Sequence, residues 1–235
     1  MKKLNNFVFL FFIFLSFSSY AQTVEQLKEE LSFNENGKAN LKVSIKLEKG
    51  NVYNLLIPYN FNGKISEIST EKGFYAEKVN IQGINYLFIN RKDSIKFSEC
   101  NITVIIDEYY DFNNEKISDF GNYLLKYRYI NTRFSKIKNY LLKIVLPQKY
   151  NITSVDESIP EATEDSPKSP FKLGNKDGKY FVELTGENVK LGENLYIKFR
   201  FKENNKSILL AILLGFIAIG YLIIFKDLRK SKAEK

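Results

Sequence analysis

Residues 39–47, ANLKVSIKL, put Ala39, Leu41, Val43, Ile45 and Leu47 on one side of an extended chain and Asn40, Lys42, Ser44 and Lys46 on the other. So strict a two-residue period fits a strand with one dry and one wet face, and it sets the class of fold available to the rest. The same character recurs in NVYNLLI (51–57), INYLFIN (84–90), NITVIID (101–107), YLLKYRYI (123–130), NYLLKIVL (139–146), YFVEL (180–184) and LYIKFRF (195–201). Between these runs stand polar breaks such as Glu48-Lys49-Gly50 and Asn175-Lys176-Asp177-Gly178. The pattern predicts an all-β protein whose antiparallel sheets pack as a β-sandwich, in one large or two small modules. A single helix is expected near the start, where Thr23 and Gln26 read as a capping box and Val24, Leu27 and Leu31 share a helical face.

Two longer apolar runs bracket this region. Lys2 and Lys3 precede Phe7 to Phe17, and Ser19 and Ala21 stand at small-residue positions before Gln22, which predicts a cleavable signal peptide over 1–21. Near the other end, Ile208 to Phe225 carries no charge and is followed by Lys226, Arg229, Lys230, Lys232 and Lys235. That combination predicts a transmembrane helix over 207–225, with a basic cytoplasmic tail over 226–235. Within the helix, Ala211, Gly215, Ala218 and Gly220 form a candidate packing face. The expected localisation is a single-pass protein of a bacterial inner membrane, with its β ectodomain facing the periplasm. Much of the formal charge of +8 sits in the two ends, so the basic balance is no argument for nucleic acid.

Inside the β region, a boundary near Asn131 to Ser135 divides a first domain, 22–131, from a membrane-proximal second domain, 132–202. The alternative is one continuous sandwich with two long loops, DEYYDFNNEKISDFGN (107–122) and VDESIPEATEDSPKSP (155–170). The second loop cannot bury itself, and Asp156, Glu157, Glu161, Glu164 and Asp165 make it a candidate acidic contact loop.

Candidate chemistry is sparse. The chain has no histidine, which excludes Ser-His-Asp and Cys-His nucleophiles and every histidine-based metal site. Its one cysteine, Cys100, falls on the same side of its strand as Ile102, Val104 and Ile106, the place of an inert core thiol. Asp107, Glu108 and Asp111 offer oxygen ligands for calcium or a carboxylate pair for glycoside chemistry, but lack the ligand order of a calcium loop. Tyr123, Tyr127 and Tyr129 share parity with Leu125 and are expected to pack one face of a sheet rather than stack on sugars. No cofactor is expected.

The strand LLKIVLP, ending in Leu146 and Pro147, follows the tyrosine-rich YLLKYRYI and precedes a β module that runs into the apolar segment. In this it resembles the membrane-proximal part of ribophorin-like ectodomains and of an uncharacterised family of bacterial and archaeal membrane proteins. That resemblance implies an accessory role in a membrane complex and transfers no functional residue. The expected function is a non-catalytic binding or accessory subunit of an envelope protein complex, with the lipid bilayer and another membrane or envelope protein as partners. The alternatives are an exported carboxylate enzyme, a glycan-binding protein, or a sensor that signals through its helix. An exposed apolar patch on a sheet favours the binder.

Overall fold

The computed structural model describes residues 22–48, 52–61, 63–93, 95–112, 122–161, 170–204 and 213–221. Thirteen strands follow one another: β1 (Thr23–Phe33), β2 (Ala39–Leu47), β3 (Asn54–Pro58), β4 (Lys64–Thr70), β5 (Phe74–Ile81), β6 (Ile84–Arg91), β7 (Glu99–Asp107), β8 (Asn122–Ile130), β9 (Lys136–Val145), β10 (Tyr150–Ile159), β11 (Phe171–Lys176), β12 (Lys179–Lys190) and β13 (Asn194–Glu203). They form a seven-stranded sheet, β11-β12-β9-β1-β2-β7-β4, and two three-stranded sheets, β10-β13-β8 and β3-β6-β5. Buried side chains of all three sheets make one hydrophobic core, including Leu31 and Ile144 of the large sheet, Phe199 of one small sheet and Ile89 of the other. The expected antiparallel β architecture is therefore present, with a departure where β1 runs parallel to β9, from Thr23 beside Lys136 to Ser32 beside Val145.

The start of the chain corrects the sequence reading. Residues 23–33 are a strand, not a helix. One extra residue in β1 at Glu25 shifts its register against β2, so that Val24 and then Leu27, Glu29, Leu31 and Phe33 face inward. The bulge sets Val24 and Leu27 three apart, and the polar Glu29 at an inward position leaves Leu27 and Leu31 four apart, so the apolar residues imitate a helical face.

Strands from both sides of residue 131 share the large sheet, since β9 and β12 lie in it beside β1 and β2. Up to Lys202 the chain forms one compact unit, and residues from Glu203 onward form a second. The Asn131 to Ser135 segment, the expected boundary, is a tightly bonded corner. Asn131 is fully buried; its Nδ2 donates to Phe134 O at 2.9 Å and Val189 O at 3.2 Å, while its Oδ1 accepts from Phe134 N at 2.9 Å. Its own backbone N–H bonds Glu193 O at 3.0 Å and its carbonyl accepts from Gly192 N at 2.7 Å. One side-chain amide thus satisfies backbone groups of the buried Phe134 and Val189.

The membrane-spanning helix is also corrected. The described helix covers 213–221, nine residues that rise about 14 Å, half of a hydrocarbon core. No helix among the described residues is long and apolar enough to cross a membrane, so the single-pass membrane localisation, with a periplasmic ectodomain and cytoplasmic tail, is not upheld. Residues 1–21, 207–212 and 222–235, which carry the expected signal peptide, the rest of the helix and the tail, lie outside the described residues.

Asn131→Ala removes a side chain whose partners stay buried and unpaired. It should lower stability by about 2–4 kcal/mol, read as a fall in the urea midpoint at unchanged slope.

Candidate functional site

The outward face of the β3-β6-β5 sheet is the feature that packing leaves unexplained. Its inward positions are filled as expected: Leu55, Ile57, Leu87 and Ile89 are buried in the core. The outward positions follow from the register, in which Leu56 opposes Phe88, Glu77 opposes Phe88 from the other side, Val79 opposes Tyr86 and Ile81 opposes Ile84. Pro58 and Tyr86 are buried there, with the Tyr86 hydroxyl 3.4 Å from Thr132 Oγ1, and Leu56, Phe88 and Val79 are half-buried, while Tyr75, Ile81 and Ile84 are exposed at 47%, 38% and 37%. An antiparallel sheet with one solvated face normally alternates apolar with polar residues. This one is apolar on both faces.

Local chemistry holds the patch in shape. Gln82 and Gly83, both at positive φ (52° and 82°), close a two-residue β5-β6 turn of the kind that matches strand twist. The Asn80 side chain braces it, with Oδ1 accepting from Gly83 N at 3.1 Å and Nδ2 donating to Asn85 Oδ1 at 2.8 Å. Ile81 and Ile84 are thereby held side by side. Ile84 also borders a pocket of about 170 Å³ lined by Pro58, Tyr59, Asn85, Ile130 and Thr132. That volume suits one medium apolar side chain.

The site residues proposed from sequence are placed differently. Asp156 and Glu157 belong to strand β10 and not to a loop; Asp156 pairs with Arg200 at 2.8 Å and Glu157 with Lys198 at 2.5 Å. Glu161 lines a groove with them, and Glu164 and Asp165 lie outside the described residues. Asp107 ends β7 and pairs with Lys38 at 2.9 Å, which holds its carboxyl below the usual range. Glu108 takes a left-handed turn conformation, with φ of 55°. Among the described residues no cluster of acidic or cysteine side chains is arranged to hold a metal ion. Gly215, Ala218 and Gly220 lie on the helix of the second unit; Ala211 lies outside the described residues.

Sequence reasoning missed a buried carboxyl. Glu29 of β1 points into the core at 4% exposure, where Tyr127 of β8 donates to its Oε2 at 2.8 Å and Tyr140 of β9 donates to the same oxygen. The first bond joins the large sheet to a small one. Burial pushes the Glu29 carboxyl above its ordinary range, and the two tyrosine hydroxyls oppose that only in part. Tyr129 stacks at a tilt on Tyr140, ring centres 4.8 Å apart, and its buried hydroxyl has no hydrogen-bond partner among the described residues. Cys100 is buried as expected, with its thiol pushed up to about 12 by burial first and the Glu71 charge second. Tyr123, Tyr127 and Tyr129 are buried alongside Leu125, as their parity required.

No protein-family model matches the chain, and no curated protein matches it. Solved structures do. An M1 zinc metallopeptidase from Deinococcus radiodurans is 7% identical over 76% of this chain and 42% of its own, at a TM-score of 0.40. A chain from Parabacteroides distasonis, assigned as a protease, is 11% identical over 77% of this chain and 41% of its own, at 0.40. Yeast LTA4 hydrolase bound to bestatin is 10% identical over 77% and 29%, at 0.39. The chain therefore spans less than half the length of these proteins, and likeness at that level says nothing about activity.

Two outcomes are expected of the core. A raised carboxyl pKa contributes stability that is complete below the ordinary value of 4.5 and is lost as pH rises through the folded value. The urea stability of the wild type minus that of Glu29→Gln should therefore fall from pH 4 to pH 8; a difference that rises with pH excludes the raised pKa. Cys100, as a buried neutral thiol, should react with a disulfide reagent at the unfolding rate, far slower than after denaturation, and fast native-state labelling contradicts its placement.

Proposed function

We propose that this chain is a non-catalytic binding or accessory module that meets a protein partner through the outward face of β3-β6-β5. The observation that supports the reading is the apolar set Tyr75, Val79, Ile81, Ile84 and Phe88, displayed on a sheet whose other face already fills the core. Contiguous apolar surface left exposed on a sheet marks a contact site. The pocket beside Ile84 supplies a seat for one anchoring side chain, the arrangement on which interface affinity concentrates. Catalytic readings draw less support, because Asp107 is neutralised by Lys38 at the surface and Glu29 is enclosed by tyrosines.

The test is a photocrosslinking residue at Val79 in the full chain, produced in its native cells, beside the same residue at Lys42 on the outward face of the large sheet. A protein adduct specific to position 79 is expected. Equal or absent adducts at both positions overturn the reading.

A further inference from the structure

We infer that the partner of the β3-β6-β5 face is a different protein that presents an arginine or lysine within an apolar surface, and that this cation pairs with Glu77. The inference rests on the binding reading above and specifies its chemistry. Glu77 is the one charged side chain among the outward positions of the three strands: β3 contributes Asn54, Leu56 and Pro58, β6 contributes Ile84, Tyr86, Phe88 and Asn90, and β5 contributes Tyr75, Glu77, Val79 and Ile81. It stands opposite Phe88 in the middle of β5, with Tyr75 on one side and Val79 on the other. Its only hydrogen bond here is from the Tyr75 hydroxyl, at 2.7 Å to Oε2, and it forms no ion pair among the described residues.

A partner covering this patch must strip water from that carboxylate. Desolvating a charge without an opposite charge is costly, so the covering surface has to bring a cation. The bond from Tyr75 orients the carboxylate in advance and reduces the freedom lost on pairing.

A second copy of the chain does not meet this requirement. A two-fold contact uses the same patch on both subunits, and the outward positions hold no lysine or arginine. Such a dimer would bury two carboxylates with no cation between them. The neighbouring bases are engaged elsewhere: Lys78 faces the other way and donates to Ile65 O at 3.4 Å, while Arg91 lies over the Phe74 ring. Apolar surface around a single acceptor therefore selects a heterologous, basic and apolar partner.

The experiment adds Glu77 variants to the position 79 crosslink in the full chain and sequences the captured peptide. Glu77 is exposed, so Glu77→Gln and Glu77→Lys should both keep the wild-type urea midpoint, which is checked first. The expected peptide comes from another protein and carries Arg or Lys within an apolar stretch. Its yield should fall several-fold in Glu77→Gln and by about tenfold or more in Glu77→Lys, where attraction becomes repulsion. A peptide without a basic residue, an adduct with a second copy, or a yield indifferent to Glu77→Lys each overturns the pairing while leaving the binding face intact. Loss of every adduct in the wild type overturns the face itself.

Discussion

The three sheets are arranged around the parallel pairing of β1 with β9. In a chain of hairpins, strand neighbours in sequence are strand neighbours in space, yet here β1 is flanked by β2 on one side and by β9 on the other. That insertion joins the early strands to the late ones in one sheet and gives the chain a single core in place of two small ones. It also sets Glu29 beside Tyr140 and Tyr127, so that a carboxyl sits where the large sheet meets β8 of a small one. With one cysteine in the chain, no intrachain disulfide is available to secure the arrangement, and packing and buried polar bonds carry it.

The buried carboxyl and the bonded corner at Asn131 act alike. Neither is required for hydrophobic collapse, and each can be satisfied in only one arrangement of strands. Apolar burial alone would tolerate β8 sliding along the sheet, whereas a tyrosine hydroxyl committed to one oxygen of one glutamate does not. Such groups contribute to choosing one registry among several of similar apolar content. The small β3-β6-β5 sheet follows a different logic. It completes the core with one face, and on the other it buries Pro58 and Tyr86 while leaving Tyr75, Ile81 and Ile84 exposed.

Much of the fold was legible in alternation. β2, β7, β8 and β13 were readable because each carries a clean inward set, and the same parity placed Cys100 and the tyrosines of β8 correctly. β1 was not, because a bulge changed its spacing and a glutamate occupied an inward position where a hydrophobe would have revealed the period. β10 was hidden by its acidic composition: as an edge strand it keeps Asp156 and Glu157 beside Arg200 and Lys198 of β13. The long apolar run near the end matched a bilayer in composition, but the described helix is a third to a half of the needed length. The apolar face did leave a trace. Residues 55–57 (LLI) and 87–89 (LFI) are continuous hydrophobic runs where a one-sided strand would alternate, and that is the signal of a sheet covered on both sides.

The insertion of β1 also has a temporal side. Thr23 pairs with Lys136 and Ser32 with Val145, so β1 cannot acquire its second neighbour until the ribosome has passed the middle of the chain. Until then one edge of β1, with its row of backbone donors and acceptors, remains open while β2 already protects the other. The molecule's most central strand is therefore, for most of its synthesis, an outermost one, and the interval before β9 arrives is when the nascent chain is most exposed to pairing with the wrong edge.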